Sequence, residues 1–302
     1  MITKMARSVG GIGIAAIGLA IAVSPALASD TLTTLASFNG TNGAGSVGVL
    51  TLSGGTLYGT TEFGGYDGTV FSMPVTGGTP TTLATFDGTN GSGPYAGLTL
   101  SGSTLYGTTS QGGANSDGTV FSVPITGGTP TTLVTFNGTN GKLPYAGLIL
   151  SGGTLYGTTS QGGANNVGTV FSVPVSGGTP TVLASFNVYN NGALPYAGLI
   201  LSGGTLYGTT TQGGANIYGT VFSVPITGGT PTALVTFNGT NGEDPYAGLI
   251  LSGGNLYGTT TIGGANNDGT VFEVTTPEPA SWVLLAVSAA AGLLLRRRCT
   301  KV

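Results

Sequence analysis

Three loops of this chain carry the same five residues, Gln-Gly-Gly-Ala-Asn, at Gln111–Asn115, Gln161–Asn165 and Gln212–Asn216. A primary amide both donates and accepts hydrogen bonds. Gln111, Asn115, Gln161, Asn165, Gln212 and Asn216 therefore suit the hydroxyls of a sugar and form the candidate ligand-binding set. A recurring Pro-Tyr pair adds Tyr95, Tyr145, Tyr196 and Tyr246 as stacking platforms. The fifth loop keeps Gly263-Gly264-Ala265-Asn266 behind Ile262, and the first, Glu62-Phe63-Gly64-Gly65-Tyr66, departs further. The competing reading is that the amides cap loops and the tyrosines pack between structural units.

Catalytic chemistry is thinly provided for. The chain has no His, and its one Cys is Cys299. A Ser-His-Asp or Cys-His nucleophile, a Cys/His zinc site and an intrachain disulfide are all excluded. The acids are Asp30, Glu62, Asp67, Asp87, Asp117, Glu243, Asp244, Asp268, Glu273 and Glu278. No acid position recurs in all five repeats, and glycoside hydrolysis needs two carboxylates facing each other across one bond. No catalytic residue, no cofactor and no metal site is assigned, and the chain is expected not to be an enzyme. Asp87-Gly88-Thr89-Asn90-Gly91 has the oxygen atoms and tight turn of a Ca²⁺ loop. Asn39, Asn137, Asn187 and Asn238 stand at the corresponding positions and lack the charge, so a turn is the preferred reading.

The residues that must position these loops repeat. Leu-Tyr-Gly-Thr-Thr starts at Leu57, Leu105, Leu155, Leu206 and Leu256, at intervals of about 50 residues. Gly-Thr-Val-Phe starts at Gly68, Gly118, Gly168, Gly219 and Gly269. A Phe closes a Thr-Leu-x-x-Phe-type segment at Phe38, Phe86, Phe136, Phe186 and Phe237. Each unit holds four strand-like runs; in the third they are 131–136, 146–150, 154–159 and 168–173. The 58 Gly and 15 Pro punctuate them as turns. The abundant β-branched and aromatic residues argue against the disorder such a composition otherwise brings.

Four short antiparallel strands per unit predict an all-β fold, a five-bladed β-propeller. The chain enters on an isolated fourth-type strand, residues 31–38, and its last unit lacks one. The expectation is that this N-terminal strand closes the last blade and covers its free edge. A β-solenoid is the alternative, although it calls for polar caps that are not visible.

The ends read as addresses. Lys4 and Arg7 precede an apolar stretch from Val9 to Val23, and Ala26-Leu27-Ala28 is an A-x-A cleavage site, so residues 1–28 are expected to be a signal peptide. The repeat domain then spans residues 29–276. Residues 277–302 form a tail with an apolar run of about 16 residues, slightly short of a full span, followed by Arg296, Arg297 and Arg298. That cluster is expected on the cytoplasmic side. Six of the seven basic residues lie in these two end segments, and Lys142 is the seventh. The body is therefore acidic and offers no footprint for nucleic acid.

Two resemblances follow from these motifs. The tail, with Pro277-Glu278-Pro279, the apolar segment and the Arg cluster, resembles the PEP-CTERM sorting signal. That resemblance implies recognition by an exosortase-type sorting protease, a Gram-negative-type envelope and an exopolysaccharide or biofilm setting. The repeat, as Leu155–Thr159, Gly162-Gly163 and Gly168–Phe171, resembles the Gly-rich GloVer repeat of bacterial secreted proteins, which implies no particular ligand. Tachylectin-like lectins share the expected five-bladed architecture and bind sugars in equivalent sites, an analogy of fold alone. The expected function is an exported structural or adhesive protein of the envelope, cell surface or extracellular matrix. The alternative is a multivalent carbohydrate-binding protein acting on extracellular polysaccharide.

Overall fold

The computed structural model describes residues 31–276. The signal cleavage residues Ala26 and Ala28 and the tail motif Pro277, Glu278, Pro279, Arg296, Arg297 and Arg298 lie outside the described residues. By compactness the chain divides into Met1–Thr34 and Leu35–Val302. Residues 31–34 of the first unit carry no strand, and every sheet belongs to the second.

Each repeat folds into its own antiparallel sheet with strands in chain order. The first holds β1 (Thr51–Ser53), β2 (Thr56–Thr61), β3 (Thr69–Pro74) and β4 (Thr81–Thr85). The second holds β5 (Thr99–Ser101), β6 (Thr104–Thr109), β7 (Thr119–Pro124) and β8 (Thr131–Thr135). The third holds β9 (Ile149–Ser151), β10 (Thr154–Thr159), β11 (Thr169–Pro174) and β12 (Thr181–Ser185). The fourth holds β13 (Ile200–Ser202), β14 (Thr205–Thr210), β15 (Thr220–Pro225) and β16 (Thr232–Thr236). The fifth has three strands, β17 (Ile250–Ser252), β18 (Asn255–Thr260) and β19 (Thr270–Thr275). Among the described residues no strand pairs with its counterpart in a neighbouring repeat, which is the pairing a solenoid would need. No helix among the described residues is long and apolar enough to cross a membrane.

The local chemistry explains the hairpins. Gly152 and Gly153 between β9 and β10 have φ of 57° and 74°, and two successive positive angles are what a two-residue turn matching the strand twist requires. The strand that opens each sheet is shorter than the sequence predicts: in the third, Ala146, Gly147 and Leu148 stay outside the ladder. Their carbonyls serve the previous repeat instead. Thr108 Oγ1 donates to Ala146 O at 3.0 Å, and Thr99 Oγ1 donates to Leu148 O. The inner segments nearly touch at Gly97, where a Cβ would lie 2.6 Å from the carbonyl oxygen of Val49.

The sheets pack face on face. One core cluster joins Val70, Leu83 and Phe86 of the first repeat to Leu98, Leu105 and Phe121 of the second. The next joins Val120, Val134 and Phe136 to Leu148, Leu155 and Phe171. The repeated Phe residues meet edge to face across these interfaces: Phe86 on Phe121 at 4.9 Å and Phe136 on Phe171 at 5.0 Å. A bulge in the fourth strand adds a polar link. Val170 pairs with Ala184 and Phe171 with Val182, which leaves Leu183 out of register. Its freed carbonyl accepts the N–H of Gly229 in the next sheet at 2.9 Å, so the bulge re-aims a backbone group across the interface. The arrangement is propeller-like.

The expected closure by the N-terminal strand is not formed. Residues 31–38 carry no strand, and among the described residues no fourth strand pairs with β19. The segment instead does half of a fourth strand's work. Leu35 O accepts the N–H of Gly78 at 3.0 Å, as Leu83 O accepts that of Gly128 at 2.9 Å. Phe38 packs edge-on against Phe71 at 5.0 Å. It thus covers the first sheet, while Val271 on β19 stays 82% exposed. Among the described residues the backbone bond from this segment, at Leu35, goes to the first sheet and none goes to the last.

Candidate functional site

The elements that converge are the Pro-Tyr segments and the loops after the Leu-Tyr-Gly-Thr-Thr strands. Buried threonines set the frame. Thr159 Oγ1 and Thr169 Oγ1 are 2.8 Å apart, and Thr159 Oγ1 also donates to Gln161 O at 2.8 Å. Both threonines are fully buried. This fixes the backbone of Gln161, which exchanges two hydrogen bonds with Lys142: Lys142 N–H to Gln161 O at 2.8 Å, and Gln161 N–H to Lys142 O at 3.0 Å. The next residue, Leu143, donates its N–H to Asp117 O of the preceding repeat at 2.9 Å. Pro144 follows, then Tyr145. Each Pro-Tyr pair is thus held by its own repeat and by the one before it.

The result is a file of tyrosines. Tyr95 and Tyr145 meet at 5.7 Å and 89°, Tyr145 and Tyr196 at 5.4 Å and 46°, and Tyr196 and Tyr246 at 5.2 Å and 17°. All four line one mouth of about 410 Å³ together with Glu62, Ser110 and Gln111. Burial in this group raises the phenol pKa of Tyr145, with neighbouring Tyr95 and Glu62 adding to the effect. Burial raises that of Tyr196 too, with Tyr246 and Tyr145 contributing. Partly buried aromatic faces beside amide and hydroxyl groups make a surface on which a saccharide ring can stack and hydrogen-bond.

The structure divides the sequence-predicted set. Gln111 lines the mouth with the tyrosines. Gln161 and Gln212 have the same backbone bridge, to Lys142 and Ala193, without lining the cavity. Asn115, Asn165 and Asn216 serve the loops. Their Nδ2 atoms donate to Phe136 O at 2.8 Å, Phe186 O at 2.7 Å and Phe237 O at 3.1 Å. Two mouth residues, Glu62 and Ser110, fall outside that set. The signal for Glu62 was available: it stands where the other repeats have Ser110, Ser160, Thr211 and Thr261.

Asp87 behaves as its Asn counterparts do. Its Oδ1 accepts from Thr89 Oγ1 at 2.6 Å, Thr89 N–H at 2.9 Å and Asn90 N–H at 3.1 Å. Asn137 likewise accepts from Thr139 Oγ1 at 2.8 Å and Asn140 N–H at 3.0 Å. The hydroxyl of Thr89, then the Asn90 N–H, hold the Asp87 carboxyl below its usual range. No group of three His, Cys, Asp or Glu residues suited to a metal occurs among the described residues. Two larger clefts, of about 470 and 450 Å³, run beside the fourth strands. Their Asp87–Asn90 and Asn137–Asn140 polar atoms are already bonded to each other, which leaves the tyrosine mouth as the better-equipped site.

The model of the Gloeobacter/Verrucomicrobia repeat matches residues 16–169 and 101–300. The chain belongs to this repeat family. No curated protein matches its sequence. Among solved structures, this family member is similar to a putative TolB from Agrobacterium tumefaciens, at 16% identity and a TM-score of 0.41 over 74% of this chain and 72% of that one. It is also similar to XC5397, a gluconolactonase from Xanthomonas campestris, at 14% identity and a TM-score of 0.44 over 74% and 69%. At these scores neither likeness bears on what the Gloeobacter/Verrucomicrobia repeat protein does.

Proposed function

We propose that this protein is an exported, non-enzymatic adhesive scaffold that holds extracellular saccharide in its tyrosine mouth. In this reading each repeat is one blade of a five-bladed propeller. The observation that carries it is the unbroken file of Tyr95, Tyr145, Tyr196 and Tyr246 around a single cavity with Gln111 and Ser110 on its wall. Aromatic planes supply stacking area at low conformational cost. The cavity volume lies within the range that accommodates a small ligand. A mouth with one carboxylate, Glu62, lacks the facing pair that glycoside cleavage uses, which supports binding over turnover.

Delivery is part of the proposal. The N-terminal segment would take the chain across the inner membrane, and an exosortase-type protease would cut near Pro277-Glu278-Pro279. Intact-mass measurement of protein recovered from separated membrane and medium fractions tests this. The expected mass lacks residues 1–28 and the tail beyond about Pro279; a mass that retains the apolar segment would overturn the sorting step. Binding is tested by retention on a polysaccharide resin with elution by free sugar. Tyr145→Ala is expected to abolish retention without unfolding the sheets, and wild-type protein that flows through every neutral and amino-sugar resin would overturn the saccharide reading.

A further inference from the structure

One position in the mouth breaks the repeat. At four of five equivalent sites a hydroxyl follows the Thr-Thr pair and is used structurally. Ser110 Oγ donates to Gly93 O at 3.0 Å, Ser160 Oγ to Leu143 O at 3.0 Å, Thr211 Oγ1 to Leu194 O at 3.0 Å and Thr261 Oγ1 to Asp244 O at 3.0 Å. In the first repeat that residue is Glu62. Its backbone N–H still reaches Gly45 O at 3.0 Å, but an ionised carboxylate has no proton to donate. Its side chain is therefore released from the structural task its counterparts perform, and it lines the cavity instead. The same repeat has Val47 where the others have Tyr95, Tyr145, Tyr196 and Tyr246. The mouth thus has four aromatic walls and one acidic wall.

Among the described residues no cation satisfies that carboxylate. Residues 31–276 contain one basic residue, Lys142, and its ammonium is paired with Asp117 at 3.2 Å. Aromatic faces attract cations through their quadrupole, and a carboxylate beside them gives that attraction a point of attachment. The acidic body adds a long-range field of the same sign.

We infer that the mouth selects a ligand bearing a protonated amine, the free-amine hexosamines being the saccharide class that fits, and that Glu62 sets this selectivity. The inference rests on the saccharide reading and narrows it. In this arrangement the tyrosine faces stack on the sugar ring and attract its ammonium charge, while Glu62 accepts the ammonium N–H donors. N-acetylation removes the charge and replaces a strong donor with a neutral amide.

Titration calorimetry of the full chain with β-linked glucosamine, N-acetylglucosamine and glucose oligomers of one length tests it. Wild type is expected to bind the glucosamine oligomer roughly 10- to 100-fold more tightly than the other two, the range a charge-assisted hydrogen bond supplies. That preference should shrink at high salt, since a half-exposed charge pair is screened. Glu62→Ser restores the residue type of the other repeats and is expected to fold normally and lose the preference, its affinity for the glucosamine oligomer falling to that for the neutral ones. Glu62→Gln, which keeps the shape and removes the charge, should do the same. Equal affinity of wild type for all three oligomers, or a preference that survives in Glu62→Ser, overturns this inference alone. Binding of none of them overturns the saccharide reading and this inference with it.

Discussion

Tyr196 and Tyr246 lie ring over ring, 5.2 Å apart and 17° from parallel, whereas Tyr95 meets Tyr145 at 89°. Residues at equivalent positions of near-identical repeats therefore adopt different ring geometries, and the wall of the mouth is not fivefold. Tyr246 is 52% exposed, so its ring gives the site more than it gives the core. An aromatic pair adds about 0.5–1.5 kcal/mol beyond the area it buries. Tyr246→Ala should lower unfolding stability by about 1 kcal/mol or less and markedly reduce retention on a saccharide resin. A urea titration beside the resin assay checks both, and a loss of several kcal/mol with unchanged retention would assign Tyr246 to packing.

The Thr159 hydroxyl makes two buried contacts, to Thr169 Oγ1 and to Gln161 O, both at 2.8 Å. Thr159→Val keeps the β-branched shape and strands Thr169 Oγ1, while Gln161 O keeps the Lys142 N–H. Leaving a buried polar group without a partner costs about 1–3 kcal/mol, and that loss is expected in the denaturant midpoint. The double variant with Thr169→Val should lose less than the sum of the two single changes, because a matched apolar pair leaves fewer orphans. Strict additivity would show that the two hydroxyls act independently.

Much of this architecture could be read before any coordinates. Leu155–Thr159 and Gly168–Phe171 recur because each unit must present the same faces to both neighbours, and the hairpins follow from Gly pairs such as Gly152-Gly153. The closing strand could not be read. Composition shows that residues 31–38 are of the fourth-strand type, but whether such a segment also pairs with β19 depends on distances between repeats, and periodicity does not encode these. The candidate site was half legible for a related reason. Asn115 and Gln111 share a motif, yet backbone carbonyls decide their roles: Phe136 O claims Asn115, while Gln111 keeps its amide for the mouth. Glu62 was visible as a departure from Ser and Thr, and its meaning required knowing that those hydroxyls donate to loop carbonyls.

Gly157 sits mid-strand in β10, where glycine normally weakens a sheet. A Cβ there would lie 2.7 Å from Phe171 Cζ and 2.9 Å from Leu148 Cδ2. Phe171 is fully buried and Leu148 nearly so, so neither can swing away. Gly157→Ala is therefore expected to destabilise by about 1–3 kcal/mol through overpacking, despite the better strand propensity of a residue with a side chain. Thermal unfolding checks it. A neutral or stabilising result would mean that the Phe171 ring shifts readily, and the edge-to-face contact with Phe136 would then be looser than 5.0 Å and 70° imply.

Alkaline pH probes the mouth directly. Burial, then Tyr95 and Glu62, raise the phenol pKa of Tyr145 above 10.0, and burial with Tyr246 and Tyr145 does so for Tyr196. For an acid whose folded pKa exceeds its unfolded one, the neutral form is what the fold tolerates. The stability associated with that form is fully present below the unfolded pKa of about 10 and is lost as pH rises through the folded value. Tyrosinate absorbance should therefore show a component that ionises later than a free phenol, reduced in Tyr145→Phe. Glu62→Gln takes a negative charge from beside Tyr145 and should move its ionisation toward lower pH while leaving Tyr196 in place. Unfolding stability should fall with rising pH above 10 less steeply in Tyr145→Phe than in wild type. Equal slopes, together with an unshifted titration in Glu62→Gln, would place the carboxylate too far from the tyrosines to act on a shared ligand.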